Sequence, residues 1–197
     1  FALPKNGPYG YEEEFYSFDY GQVHVLVLSS NYQDPQESYS ADGAERDQIA
    51  ARVAGWIAED LSSTEKPHSI VMMHHPIFPI VSDSMTAGLQ DEWLPIFMGA
   101  GVELVLVGHQ HEYMRTKPWM SGTSGGGLVQ IMANTSQKTY PISGSGLGYI
   151  DVEIGDTQGY LYITATEDSL EVIAYNAKGR IIDTWTSEPT KEGKKAA

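Results

Sequence analysis

The stretch GVELVLVGHQHEYMRT, residues 101–116, joins an apolar run to a glycine and two histidines. The run 102–107 predicts a buried β-strand that His109 and His111 follow closely. Loops at the carboxyl ends of parallel strands form the ligand crevice of α/β proteins, because the sheet holds them in place. Two imidazoles in one such loop suit a metal ion, and Gly108 offers a backbone conformation or a close approach that a side chain would block. The pair alone leaves an accidental placement equally open.

A second apolar run ends in the same way. The segment SIVMMHHP, residues 69–76, finishes with His74 and His75. In a parallel sheet both strand ends lie at one edge, so four of the six histidines would face a common point there. The other two are expected to be structural: His24 as a hydrogen-bonded strand residue, and His68 as a loop residue with no special role.

Strand and helix patterns alternate through the first two thirds of the chain. Two short strands are predicted within 16–29, a helix over 44–61, a strand over 69–76, a helix over 88–98 and a strand over 102–107. Five β-rich runs follow, from GLVQIMAN at 127–134 to GRIIDTWTS at 179–187, and these are typical of antiparallel strands. The order predicts an α/β fold with parallel strands first and antiparallel strands after them. The late strands also leave open a secreted β-sandwich binding module.

The composition is that of a globular protein able to build a core, with 41% hydrophobic and 19% charged residues. One domain is predicted over 1–187 and a flexible tail over 188–197, with loops at 31–43 and 121–127. A net charge of −14 argues against nucleic acid or anionic membrane as partners, and no stretch suits a membrane span. Because there is no cysteine, nitrogen and oxygen must hold any metal.

The motif VMMHHP followed by GHQH resembles the carboxyl-terminal motif pair of the calcineurin-like metallophosphoesterases, His-x-Pro and Gly-His-x-His. The succession FYSFDYGQVHVLVLSS, WIAEDL, VMMHHPIF and GVELVLVGHQHEYMRT resembles purple acid phosphatases and their bacterial relatives over residues 1–116. The resemblance implies a β-sandwich flanked by helices, in αββα layers, with metal ions at strand ends along one edge. Relatives of this kind are often exported, but the sequence leaves the location open.

The resemblance also implies a set of metal ligands. His74 and His109 would bind one ion and His111 its neighbour, in a centre of two divalent or trivalent ions such as Fe, Zn or Mn. The complete enzyme is expected to hydrolyse a phosphomonoester or a phosphodiester with a hydroxide bound to the two ions. No catalytic acid, base or nucleophile is assigned among the side chains.

Three further residues are candidates for substrate binding. His75 occupies the variable position of His-x-Pro and is not implied as a ligand. Tyr113 and Arg115 match the purple acid phosphatase pattern after Gly-His-x-His, although Met114 stands where that pattern usually has glutamate. Arg115 could contact phosphate or brace the loop, and bracing is favoured because exposed arginines usually have structural partners.

The family's amino-terminal motifs, Asp-x-His, Gly-Asp-x-x-(Asp/Tyr) and Gly-Asn-His-(Asp/Glu), do not precede the histidines. Gly155-Asp156 is a partial match in the wrong order and is interpreted as a hairpin turn. The chain therefore looks like the carboxyl-terminal part of a metallophosphoesterase domain, whose missing amino-terminal half is its expected partner and supplies the carboxylate ligands. The isolated chain is expected to be inactive and to associate through exposed apolar surface. A non-catalytic binding or structural module derived from this fold is the alternative.

Overall fold

A computed structural model describes residues 2–33, 43–82, 84–120, 126–143 and 146–187 of the chain. The predicted tail at 188–197 lies outside the described residues, as does most of the loops predicted at 31–43 and 121–127. Along the described chain, no helix combines the length and the apolar character that crossing a membrane requires.

The elements follow one another in the predicted alternation, with one strand more than predicted. They are β1 (Tyr16–Tyr20), β2 (Val23–Leu28), a 3-10 helix (Ser30–Gln33), α1 (Gly43–Ser63), β3 (His68–Met73), α2 (Ser84–Gly99), β4 (Leu104–Val107), β5 (Tyr113–Thr116), β6 (Val129–Met132), β7 (Ile150–Ile154), β8 (Gly159–Ala165), β9 (Leu170–Asn176) and β10 (Ile181–Ser187). The strand β5 was not predicted, because its four residues are all buried and show no alternation.

The strands form two sheets. Seven lie in the order β1-β2-β3-β4-β6-β5-β7, and three lie in the order β10-β9-β8. The pairs β2-β3, β3-β4 and β4-β6 are parallel, whereas the remaining pairs are antiparallel. The predicted change from parallel to antiparallel strands is therefore confirmed, except that β6 inserts between β4 and β5 and so runs parallel to β4.

Three layers result from the way these elements bury their apolar faces. Helix α1 turns Ile49, Val53, Ile57 and Leu61 inward, as the spacing predicts, and shares one core with α2 and one face of the larger sheet. The other face of that sheet packs against the three-stranded sheet in a second core. The larger sheet is thus covered on both faces, which confirms the predicted α/β fold with helices outside a pair of sheets; the described residues form three of the four expected αββα layers.

The end of α2 determines where β4 begins. Gly101 has a φ of 70°, and its amide donates to the Met98 carbonyl while the Val102 amide donates to the Phe97 carbonyl. This is a Schellman cap, which needs a residue in the left-handed region and therefore favours glycine. The chain turns sharply there and enters the sheet, so that β4 ends at Val107 and Gly108 follows it beside His74.

Buried polar contacts join the two sheets, and one of them corrects the role expected for His68. His68 is fully buried at the start of β3, with Nδ1 2.9 Å from Glu103 Oε2 and Nε2 2.9 Å from the Thr166 carbonyl. The Ser187 hydroxyl donates to Glu103 at 3.1 Å. Burial raises the pKa of Glu103, although His68 acts in the opposite direction. His68 is therefore a link between sheets and not a loop residue.

The turn after β7 also differs from the prediction. Asp156, with a φ of 51°, lies between β7 of the larger sheet and β8 of the smaller one. The Gly155-Asp156 turn therefore carries the chain from one sheet to the other and does not close a hairpin, because the strands on its two sides do not pair. Local turn signals cannot distinguish these two connections.

Candidate metal centre

The histidine motifs meet at one edge of the larger sheet. Strands β3 and β4 are parallel neighbours that end at Met73 and Val107, so the residues that follow them emerge side by side. The Gly108 amide donates to the His74 carbonyl at 3.0 Å and continues the pairing for one step beyond the strands. The two loops that carry the histidines are therefore held together by the sheet itself.

Three imidazoles form a compact group at this edge. One nitrogen from each of His74, His75 and His109 lies within 4.8 Å of the others. The nitrogens His109 Nδ1 and His74 Nε2 are 3.3 Å apart. Two nitrogens that bind a tetrahedral zinc ion at about 2.0–2.1 Å are separated by about 3.3–3.4 Å, so this pair has the spacing of two ligands of one ion.

The environment of His74 favours the neutral imidazole that metal ions require. Burial lowers its pKa from the usual value, and the charges of His109 and His111 lower it further. A metal ion competes with protons for the same lone pair, so a lowered pKa leaves the nitrogen available near neutral pH.

The turn that carries His109 and His111 has an unusual backbone. Its positive φ angles fall on His109 at 73° and His111 at 55°, and not on Gly108. A Cβ on Gly108 would lie 3.6 Å from His74 Nδ1, which is an ordinary contact. The special role expected for Gly108 is therefore wrong, and the strained conformation belongs to the two histidines. Such strain in non-glycine residues clusters at functional sites.

His111 lies in the same cleft but outside the three-imidazole group. Its Nδ1 is 3.1 Å from the Lys138 carbonyl and 3.0 Å from Ser136 Oγ. A carbonyl can only accept, so Nδ1 carries the proton in that bond and Nε2 keeps its lone pair. This is the arrangement by which metal-binding histidines are commonly oriented. The ring also meets the edge of Tyr140 at 5.3 Å.

His75 is held from the other side, by the segment that follows β2. Ser30 Oγ accepts a hydrogen bond from the His75 amide at 3.0 Å and lies 2.9 Å from His75 Nδ1. The His75 ring centroid is 4.4 Å from that of His109. The structure thus places His75 with His74 and His109, whereas the motif resemblance implied His74, His109 and His111 as ligands and did not imply His75.

A cleft of about 830 Å³ opens over His74, His109 and His111. It is lined by His74, by the 108–112 turn and by the segment 133–143, which the sequence analysis did not single out. The nearest carboxyl in sequence, Glu112, lines it too but accepts a hydrogen bond from Ser143 Oγ at 2.7 Å. Burial raises the pKa of Glu112, as does its neighbour Glu153, although Ser143 lowers it. Among the described residues, the compact metal-ligating group contains nitrogen ligands and no carboxylate.

Tyr113 and Arg115 point towards the second sheet. Arg115 Nε donates to Asp183 at 2.6 Å and Nη1 donates to Asp151 at 2.7 Å, while the Tyr113 hydroxyl donates to Asp183 at 2.8 Å. These bonds join β5 to β7 and β10. Burial and the hydrogen bond to Asp183 raise the pKa of Tyr113. A role of either side chain in substrate binding remains a prediction that these contacts do not support.

The matches between this chain and known proteins cover only part of each relative. No family model matches the chain. An uncharacterised protein of Mycobacterium tuberculosis is 32% identical over 113 residues, which cover 53% of this chain and 20% of that protein. Purple acid phosphatase 18 of Arabidopsis thaliana is 32% identical over 56% of this chain and 23% of its own length. A cAMP/cGMP dual specificity phosphodiesterase of M. tuberculosis is 33% identical over 36% of this chain and 24% of its own length. The matches thus span less than a quarter of these relatives.

Solved structures share the fold at low sequence identity. A purple acid phosphatase of yellow lupin matches 98% of this chain and 35% of its own with a TM-score of 0.58 and 18% identity. PhoD matches 87% of this chain and 44% of its own with a TM-score of 0.60 and 12% identity. GAP50, described as the anchor in the inner membrane complex of Plasmodium, matches 91% and 55% with a TM-score of 0.70 and 14% identity.

These comparisons confirm the resemblance that the motifs predicted. The chain is similar to purple acid phosphatase-like members of the calcineurin-like metallophosphoesterases, and the match is consistent with the carboxyl-terminal portion of that domain. The two relatives whose activity is named are a phosphatase and a phosphodiesterase, which supports a phosphoesterase family in general. Purple acid phosphatase-like relatives imply divalent or trivalent metal ions as the cofactors of that family.

Proposed function

We propose that this chain supplies the imidazole ligands of a dimetal phosphoesterase centre whose carboxylate ligands come from an amino-terminal half of the same domain. The observation that carries the proposal is the 3.3 Å separation of His74 Nε2 and His109 Nδ1 at a shared sheet edge. In the proposal these two residues bind one ion and His111 binds the neighbouring ion. Iron, zinc and manganese all accept imidazole with oxygen ligands.

The ligands present fit part of such a centre. Two ions about 3.5–4 Å apart need bridging oxygen ligands to offset their repulsion. The compact group in the described chain consists of imidazoles alone. The nitrogen set is therefore suited to metal but short of the oxygen ligands that a pair of ions requires, which is why we assign the remaining ligands to the missing half.

The charge of the protein supports the same assignment. A chain with a net charge of −14 repels an anionic ester, and Lys138 is the one cationic side chain among the described residues that line the cleft. Two bound metal ions would attract the phosphate ester, polarise it and lower the pKa of a coordinated water. Other residues of this chain hold the imidazoles in place: the Lys138 carbonyl fixes the ring of the proposed ligand His111, and Ser30 fixes the neighbouring His75.

The experiment is a phosphatase assay with a chromogenic phosphate ester in the presence of Zn²⁺, Mn²⁺ or Fe. We expect little or no turnover from the 197 residues alone, and robust turnover would overturn the half-site proposal. In a longer chain that includes the upstream motifs, His109→Ala should lower metal content and activity together. A fully active His109→Ala variant would contradict the ligand assignment.

A second candidate is a non-catalytic binding or structural module. The observation in its favour is the structural match to GAP50, which is described as an anchor. A non-catalytic role leaves unexplained why His74, His109 and His111 line one cleft, and for that reason we rank it second. The two are separated by metal analysis: a longer chain that carries stoichiometric metal supports the enzyme, and one that carries none supports the module.

A further inference from the structure

The loop after β3 is held almost entirely by side chains. The segment 75–81 contains two prolines, Pro76 and Pro79, which have no amide hydrogen to donate. Each of its other amides donates to a side-chain oxygen: His75 to Ser30, Ile77 and Phe78 to Gln130, and Ile80 and Val81 to Gln110. The amides of this segment therefore depend on three side chains outside it, and the Tyr149 hydroxyl donates a further hydrogen bond to the Pro79 carbonyl.

Gln130 holds the first half of the segment. It is fully buried on β6, and its Oε1 accepts from the Ile77 amide at 2.8 Å and the Phe78 amide at 2.9 Å. Its Nε2 donates to the Phe78 carbonyl at 2.8 Å. Because Gln130 is part of the sheet, it fixes this half of the segment relative to the fold as a whole.

Gln110 holds the second half, and it comes from the histidine turn itself. Its Oε1 accepts from the Ile80 amide at 2.6 Å and more weakly from the Val81 amide at 3.4 Å, while its Nε2 donates to the Val81 carbonyl at 2.6 Å. Gln110 lies between His109 and His111 in sequence. The side-chain amide of Gln110 thus connects the turn that carries His109 and His111 to the loop that follows His74 and His75.

We propose that Gln110 is a positioning residue of the metal centre, which sets the separation of His109 from His74 without binding metal. The inference rests on the proposed function, because it assumes that these imidazoles are ligands. The His109 and His111 backbones lie in the left-handed region and so need outside support. The two bonds of 2.6 Å to the neighbouring loop provide such support. Groups that orient metal ligands in this way contribute roughly 10–100-fold to metal affinity.

The test is a Co²⁺ titration of the 197-residue chain, monitored by visible absorption. The variant Gln110→Met keeps the length of the side chain but can neither accept from Ile80 nor donate to Val81. We expect it to bind Co²⁺ at least about tenfold more weakly than the wild type and to show altered d–d bands. Hydrogen exchange should accelerate at the Ile80 amide, whereas the amides of Ile77 and Phe78 should keep their protection because Gln130 still holds them.

Two controls separate positioning from general loss of stability. Gln48→Met makes the same change on the exposed face of α1, and Val53→Ala lowers stability from the buried face of that helix. Both should leave the Co²⁺ affinity and spectrum unchanged. If Gln110→Met fails to fold, the shorter Gln110→Asn, which cannot span the same distance, replaces it with the same expectation.

The outcomes distinguish this inference from the function on which it rests. If the wild type binds Co²⁺, His74→Ala abolishes that binding and Gln110→Met weakens it, both the metal centre and the positioning role of Gln110 are supported. If His74→Ala abolishes Co²⁺ binding but Gln110→Met binds Co²⁺ with the same affinity and spectrum as Gln48→Met, only the role of Gln110 is overturned. Absence of any His74-dependent binding overturns the proposed metal centre and the inference with it.

Discussion

Replacing Arg115 with methionine should lower the free energy of unfolding by about 3 kcal/mol and leave metal binding unchanged. Arg115 and Asp183 form a two-point ion pair, with side chains only 11% and 10% exposed. Removal of one partner of a buried pair costs about 3–5 kcal/mol, because the other charge is left uncompensated. We expect the lower end because the Tyr113 hydroxyl continues to donate to Asp183. The bond to Asp151 adds little, since that residue is 43% exposed.

The assay is urea and thermal unfolding followed by circular dichroism. A loss of about 3 kcal/mol corresponds to a fall in Tm of about 6–12 °C for a domain of this size. Asp151→Asn serves as the matched control and should change stability by less than about 1 kcal/mol. A double-mutant cycle with Asp183→Asn isolates the pair itself. If Arg115→Met unfolds like the wild type but binds inorganic phosphate more weakly, Arg115 contacts substrate and the bracing role is refuted.

The titration of His24, the exposed face of the smaller sheet and the stability of the zinc-bound protein can each be measured. Burial alone would lower the pKa of His24, but hydrogen bonds to Asp60 and Asp19 outweigh burial and raise that pKa above its usual value. The stability that protonated His24 contributes is therefore complete below about pH 6.5. It is lost as the pH rises through the pKa of His24 in the folded protein. Unfolding from pH 6 to 9 should show this loss in the wild type and not in His24→Gln; equal slopes would contradict it. Tyr160, Tyr162 and Ile181 are 50%, 61% and 58% exposed on the three-stranded sheet, so sedimentation should show self-association, and a stable monomer at high concentration would argue against it. Zn²⁺ at about 100 times its Kd should stabilise the wild type by about 2.7 kcal/mol and His109→Ala by much less; equal stabilisation would place zinc elsewhere.

Much of the site could be predicted because its signals are local. The apolar runs that end at His74 and at Gly108 indicate both strands and both histidine motifs, and parallel pairing then brings the strand ends together. The amphipathic spacing of Ile49 and Val53 indicates α1 in the same way. What the sequence could not indicate was β5, because a short strand buried on both faces lacks alternation, and it could not place β6 between β4 and β5.

The supporting residues were missed because their partners are distant in sequence. Gln130 holds amides 52 and 53 positions away, and His68 bonds to a carbonyl 98 positions away. No local pattern distinguishes such a residue from an ordinary polar side chain in a strand. Gln110 is the partial exception, because its place between two histidines is visible in the sequence, although its bonds to the neighbouring loop are not.

The most direct test of the metal centre is anomalous diffraction at the zinc edge from crystals of the chain soaked in Zn²⁺. We expect a peak about 2.0–2.1 Å from both His74 Nε2 and His109 Nδ1. A peak bound only to other residues, or none at saturating Zn²⁺ with both rings in place, would contradict it.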